Sequence, residues 1–336
     1  MLGPGLILCE ERVPLQQRHG REALVELLSV HPGLPGVEDR DPRDMVFLDT
    51  ETTGLAGGTG TVAFLVGLAR VSDEALWLRQ YLLTAFAGEA GMLEEVTAWV
   101  SAPACLVSYN GKGFDVPLLR DRLRLHGLRD VLGAHAHLDL LYTVRRAFGR
   151  RWPNCRLRTV EEALLGFRRT GDIESAEVPG IWYGLMRHGD LQRLPAVLRH
   201  NLWDLASLAI MVPTLTRVYS SPGEWAADIT GLARYHRQRG CPDRAMAILE
   251  GNVKALDRAG LLELAALHRR EGRWQEAAGI WHGLAVGGCQ ESSCQLAKYY
   301  EHVVGDYARA LAYAAELPRG GARSRRQARL RAKLGL

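Results

Sequence analysis

Apolar residues run in short unbroken blocks through the first half of the chain. Met45–Asp49 (MVFLD), Thr61–Arg70 (TVAFLVGLAR), Ala75–Leu82 (ALWLRQYL) and Ala104–Tyr109 (ACLVSY) each read as a buried strand. The first three follow one another, with a turn at Ser72-Asp73, and predict an antiparallel meander. Apolar spacing near the helical period predicts helices over Gly91–Ser101, Val116–His126, Leu157–Leu165 and Ala196–Val218. A short helix is expected over Glu22–Val30, ahead of a Pro/Gly-rich connector, His31–Gly36. Three strands, a helix, a strand and a helix make an α/β order with a mixed sheet.

The pattern changes after Tyr219-Ser-Ser-Pro-Gly. Beyond it no strand is predicted, and three segments repeat, starting at Leu232, Leu264 and Leu296, 32 residues apart. Each opens on Leu-Ala, has a Gly seven or eight residues after that Ala (Gly240, Gly272, Gly305), and places an Ala about five residues later (Ala245, Ala277, Ala310). This is a helix–turn–helix unit with a small residue where two helices pack closely. Its period is near the ~34 residues of tetratricopeptide repeats, and three units can bury a stacked core.

A length of 336 residues agrees with two domains. The boundaries expected are 1–219 for the α/β domain and 220–336 for the helical repeats with a basic tail. An apolar content of 47% supports a sizeable core, and no apolar run is long enough to span a bilayer. The N-terminal stretch has no signal-peptide pattern. Six cysteines without C-x-x-C pairs or zinc spacing read as reduced thiols, so a cytoplasmic location is expected. The net charge of +4 is uneven: residues 1–219 carry 24 basic and 26 acidic side chains, residues 220–336 carry 18 and 12. After Pro318 the tail holds seven cations and no acid, which suits either a solvated capping helix or a nucleic-acid contact arm.

Three motifs carry candidate chemistry. In Leu48-Asp49-Thr50-Glu51-Thr52-Thr53-Gly54-Leu55, Asp49 and Glu51 alternate at a strand end and face one side. A D-x-E pair is common, but here an apolar strand leads into it and a Thr-Thr-Gly turn follows. In Tyr109-Asn110-Gly111-Lys112-Gly113-Phe114-Asp115, a strand runs into a glycine-containing turn and Asp115 opens a helix, a position that also suits an N-cap. In His200-Asn201-Leu202-Trp203-Asp204, His200 and Asp204 share one helix face. Four carboxylates converging on one point repel one another unless cations sit between them. Oxygen donors favour Mg²⁺ or Mn²⁺, and a pair of such ions can activate water in phosphodiester hydrolysis.

These acids, Asp49-x-Glu51, Asp115 and Asp204, resemble the acid set of the DEDD (DnaQ-like) 3′–5′ exonucleases, which have a ribonuclease H-like fold. Tyr109–Leu119 is similar to their second motif. More closely, residues 2–218 resemble the YprB-like ribonuclease H-like family. That resemblance includes Cys155-Arg-Leu, Leu164-Leu-Gly-Phe-Arg-Arg, Gly171-Asp-Ile, Val178-Pro-Gly, Gly189-Asp190 and His200-Asn201. Members often carry a tetratricopeptide-like C-terminus. The third motif in this superfamily usually has Tyr four residues before the last acid, or His five before it. Here His200 stands four before Asp204. It is the candidate for orienting or deprotonating the attacking water.

Between the second and third motifs lie Arg145, Arg146, Arg150, Arg151, Arg156, Arg158, Arg168 and Arg169, with Trp152 among them. They suit either a phosphate-binding groove with a stacking aromatic or a solvated helix face. Asn110 and Lys112 join them as candidate nucleic-acid contacts. Asp139 is a candidate fifth acid. Gly57-Gly58-Thr59-Gly60 reads as a hairpin turn, since it lacks the ending of a phosphate-binding loop.

The expectation is therefore a ribonuclease H-like mixed sheet flanked by helices, followed by an all-α tetratricopeptide-like domain. The first functional expectation is a 3′–5′ exonuclease on single-stranded DNA or RNA using two Mg²⁺ or Mn²⁺ ions. Asp49, Glu51, Asp115 and Asp204 would be the ligands, with His200 assisting. The second is a nucleic-acid-binding adaptor whose repeats recruit a protein partner. A proofreading subunit, which requires a polymerase partner, is the third.

Overall fold

The structure is a computed structural model that describes residues 3–29, 34, 36–37, 40–54, 60–100 and 105–336. It divides into two compact units, 1–220 and 221–336.

The first unit is built on a six-stranded mixed sheet. Its strands are β1 (Leu6–Pro14), β2 (Met45–Thr52), β3 (Ala63–Val71), β4 (Ala75–Leu83), β5 (Cys105–Ser108) and β6 (Ala136–Asp139), in the order β1-β4-β3-β2-β5-β6. β2, β3 and β4 form the expected antiparallel meander. On its other side β2 pairs in parallel with β5, and β5 with β6. The chain returns to the sheet between these parallel strands through α1 (Glu89–Val100) and α2 (Asp115–Leu125). α3 (Leu140–Phe148), α4 (Val178–His188) and α5 (Leu194–Ser220) complete the unit. One core joins apolar side chains of β2, β3 and β4 to Met92, Leu93 and Val96 of α1, Leu119 and Leu123 of α2, and Trp182 of α4. Burial on both faces explains why these strands read as continuous apolar runs rather than alternating ones.

Several features differ from the sequence reading, including the helices α3 and α4, which it does not predict. Glu22–Val30 is not one helix: Glu22–Ala23 pairs with Arg18–His19 as a two-stranded ribbon, and only Glu26–Ser29 is helical. β1 pairs along its whole length with the edge of the meander. β6 is a four-residue strand with little apolar content. Val30, most of the connector at 31–35, Leu55, residues 57–59 of the glycine-rich turn, and Ala104 lie outside the described residues.

The second unit is helical. Its pairs are α6 (Ile229–Gln238) with α7 (Pro242–Glu250), α8 (Arg258–Arg270) with α9 (Trp274–Val286), and α10 (Gln290–Tyr299) with α11 (Tyr307–Ala315). α12 (Gly321–Leu334) follows. The repeated glycines stand between the partners of each pair with left-handed φ values of 78°, 74° and 77° at Gly240, Gly272 and Gly305. A Cβ there would be strained, so the sequence repeat marks a repeated turn. The repeated Ala245, Ala277 and Ala310 are wholly buried, as are Ala233, Ala265 and Ala297. Among the described residues no helix is long and apolar enough to cross a membrane.

Candidate active site

β2 sits where the sheet changes sense, antiparallel to β3 and parallel to β5. Such a point leaves a crevice beyond the strands' carboxyl ends. Asp49 and Glu51 occupy that end of β2. Asp115 is the first residue of α2, reached from the end of β5 through Tyr109–Phe114. It does not cap the helix: Phe114 holds the cap position and makes no side-chain capping bond. Asp115 instead accepts a hydrogen bond from the Thr50 hydroxyl. α5 brings His200, Asn201 and Asp204 against the same crevice.

Asp139 has another job. Its carboxylate accepts from the backbone N–H groups of Asn110 (2.8 Å), Lys112 (3.0 Å) and Leu141 (3.1 Å). It thereby braces the turn that delivers Asp115, with Asn110 at a left-handed φ of 67°. Asp139 is thus a scaffold acid whose charge also bears on Asp115.

Asn201 ties α5 to β2. Its Nδ2 donates to Asp49 Oδ2 at 2.7 Å, and its Oδ1 accepts from Gln80 Nε2 at 2.9 Å. Gly67 of β3, directly across from Asp49, makes this possible. A Cβ on Gly67 would stand 2.1 Å from Asn201 Oδ1.

The acids are short of positive charge. Burial, then the charges of Asp204, Asp115 and Glu51, raise Asp49 well above the usual carboxylate range, against the pull of the Asn201 hydrogen bond. Burial, then Asp204 and Asp115, push Glu51 up to about 8. Burial also outweighs the Thr50 hydrogen bond and lifts Asp115 to about 6. Carboxylates held so close cost free energy when ionised together. Ligand atoms of Glu51, His200 and Asp204 lie within 4.8 Å of one another, so these residues could hold a metal ion. The donor set, mostly carboxylate oxygen, fits a hard divalent cation.

His200 Nε2 faces this cluster, 3.9 Å from Glu51 Oε1 and 3.6 Å from Asp204 Oδ2. The four-residue spacing therefore does not turn the imidazole away, because i and i+4 share a helix face. Its other nitrogen, Nδ1, lies 2.8 Å from Asp172 Oδ1. Beside it, Arg169 is buried, its side chain 4% exposed. Arg169 donates to both oxygens of Glu161 (2.8 and 2.6 Å), to Asp172 Oδ2 (3.3 Å) and to Asp204 Oδ1. Glu161 also accepts from Ser207, whose hydroxyl meets His19 at 2.7 Å. Arg169 is thus a counter-ion for the buried acids, and it also lines the pocket that Asp172, His200 and Asp204 help to form. Asp172, within Gly171-Asp-Ile, carried no signal in sequence beyond the family resemblance.

The remaining arginines separate. Arg156 and Arg158 line a pocket of about 320 Å³ whose wall includes His200, Asp172 and Asp204. Arg145 and Arg146 are on α3, and Arg150 and Arg151 in the turn after it, where Trp152 stacks on Phe148 with ring centroids 4.0 Å apart. Asn110 and Lys112 are exposed on the Asp139-braced turn.

The Bacillus subtilis protein named "Uncharacterized protein YprB" is 30% identical over 329 residues, covering 91% of this chain and 78% of that protein. The family B DNA polymerase from the hyperthermophilic archaeon Pyrobaculum calidifontis is a structural neighbour with a TM-score of 0.38 and 16% identity over 68% of this chain, which spans 29% of the polymerase's length. A model of the RNase H superfamily matches residues 46–216, from the second residue of β2 to near the end of α5. The chain belongs to the RNase H superfamily.

Proposed function

We propose that this chain is a divalent-metal-dependent 3′–5′ exonuclease acting on single-stranded nucleic acid. The observation that carries the reading is the gathering of Asp49, Glu51, Asp115 and Asp204 in one crevice, with His200 Nε2 facing Glu51 and Asp204. Nuclease chemistry is what the superfamily membership supports, and the acids suit it.

The four carboxylates would hold two Mg²⁺ or Mn²⁺ ions. Bound there, such ions stabilise the charge on the attacking and leaving oxygens of an in-line displacement. The chain's own groups do the rest. His200 takes a proton from the attacking water through Nε2. The water oxygen bonds to phosphorus, the P–O3′ bond breaks, and the leaving O3′ is protonated from solvent. Arg156 and Arg158, beside the crevice, would hold backbone phosphates. Asn110, Lys112, Arg145, Arg146, Arg150 and Arg151 would extend that contact. The helical unit, read as tetratricopeptide-like repeats, would bind a protein partner.

A second reading draws on Arg169. Its guanidinium already bonds to Asp204, supplying part of the charge that a cation would bring. In that reading the chain grips nucleic acid as an adaptor without turnover.

The test is cleavage of 5′-labelled single-stranded DNA and RNA with Mn²⁺, Mg²⁺ or chelator, beside Asp49→Ala. Metal-dependent shortening from the 3′ end, lost in the variant, is expected. Binding without turnover under every condition would leave the adaptor.

A further inference from the structure

We infer that Asp172 is a positioning residue that fixes the tautomer of His200, leaving Nε2 free to accept the proton of the attacking water. The role rests on the nuclease reading above.

The two imidazole nitrogens have different surroundings. Nε2 points at Glu51 and Asp204, both acceptors when ionised. Nδ1 has Asp172 Oδ1 at 2.8 Å and Arg169 Nη1 at 3.2 Å. These neighbours make opposite demands. A proton on Nδ1 would donate to Asp172, and a lone pair there would accept from Arg169. The shorter contact is to Asp172, and Arg169 Nη1 has another acceptor in Asp172 Oδ2 at 3.3 Å. Nδ1–H donating to Asp172 satisfies all three groups, and the lone pair is then on Nε2. A carboxylate that holds a histidine in its working tautomer is a recurrent device where histidine acts as a base.

Both side chains are held firmly. Asp172 and His200 are each 10% exposed at the side chain. Arg169 is anchored by two bonds to Glu161, whose side chain is fully buried. Asp172 keeps the ring oriented across the crevice from a separate segment, the loop before α4, and Arg169 keeps Asp172 in place.

Asp172→Asn tests this because the change is isosteric. An asparagine has one acceptor, which Arg169 claims, so its NH₂ faces Nδ1. The imidazole proton then moves to Nε2, and the ring can no longer take a proton there. In ¹⁵N NMR of the metal-free protein, assigned with His200→Gln, neutral His200 should carry its proton on Nδ1, and on Nε2 in Asp172→Asn. With 5′-labelled single-stranded DNA and Mn²⁺, Asp172→Asn should lower kcat by about 10–100-fold with KM little changed. Asp172→Glu should recover part of the loss, which a merely structural role would not require. A proton on Nε2 in the unaltered chain, or unchanged kcat in Asp172→Asn, overturns the inference while leaving the nuclease reading intact. Absence of metal-dependent cleavage by the unaltered chain removes that reading and the role together.

Discussion

Arg169 and Glu161 form a two-bonded ion pair inside the first unit, with the Arg169 side chain 4% exposed and the Glu161 side chain fully buried. The same guanidinium reaches Asp204 and Asp172, so one residue joins the scaffold to the crevice. Removing one member of a buried pair leaves the other uncompensated, at a cost of about 3–5 kcal/mol. Arg169→Met should therefore lower stability by about that amount. Adding Glu161→Gln should recover much of the loss. Urea unfolding of the two variants measures this, and equal stability of the single and double variants would contradict it.

Gly67 and Asn201 supply a second prediction. With Cβ 2.1 Å from Asn201 Oδ1, Gly67→Ala forces Asn201 off Asp49. Overpacking of a tight site costs about 1–3 kcal/mol. Loss of a group that orients a metal ligand costs about 10–100-fold in metal affinity. Mn²⁺ titration by calorimetry should show weaker binding in Gly67→Ala and in Asn201→Leu alike. If Asn201→Leu binds Mn²⁺ as the unaltered chain does, the tie to Asp49 has no bearing on the metal.

The parts of the fold legible in sequence are those where a single physical signal dominates. β2, β3 and β4 announce themselves because burial on both faces demands unbroken apolar runs. β1 does not: after Leu6-Ile7-Leu8 its residues turn polar, since it is an edge strand with exposed Glu10, Glu11 and Arg12. β6 has four residues, and the chief apolar one is Leu138. α4 hides behind Pro179 and Gly180, which read as breakers, although proline is well tolerated in a first turn. In the crevice, Asp49, Glu51, His200 and Asp204 stand at spacings that local geometry explains. Arg169 and Asp172 do not, because their partners Glu161, Asp204 and His200 are set by tertiary packing. Nothing periodic distinguishes a buried arginine from the seven others around it.

The crevice acids predict a pH dependence of stability without metal. Glu51 is raised from 4.5 to about 8 in the folded chain. A carboxyl raised on folding binds more protons in the native state between the two values, so unfolding becomes easier as pH rises. The stabilising contribution is present below about pH 4.5 and lost as pH climbs through about 8, the value reached in the fold. Asp115, raised to about 6, acts in the same direction over a lower window. Thermal melts in chelator should show a midpoint falling between pH 5 and pH 8 more steeply than in Glu51→Gln. Saturating Mn²⁺ should offset the fall, since a ligand at about 100 times its Kd adds about 2.7 kcal/mol to the native state. Parallel curves for the two proteins in chelator would refute the assignment.

The second unit ends on a pinned helix. Glu301, its side chain fully buried, accepts from Arg329 at 2.7 and 2.8 Å and from Lys333 at 3.3 Å, both on α12. The Arg329 hydrogen bonds outweigh burial and, with Lys333, hold Glu301 down to about 2. Leu330, on the same helix, is also wholly buried. The basic tail is therefore partly a structural clasp, and three of its cations, Arg326 at 3.9 Å with Arg329 and Lys333, pair with Glu301. Hydrogen bonds to a charged group contribute about 1.5–3 kcal/mol, so Glu301→Gln should destabilise the helical unit by about 2 kcal/mol. A folded-state value below the unfolded one gives stability that is present above about pH 4.5 and lost as pH falls towards about 2. Amide hydrogen exchange across Gly321–Leu334 should accelerate in Glu301→Gln at pH 7 with exchange in α5 unchanged. Protection of α12 that is indifferent to this substitution would assign its docking to Leu330 alone.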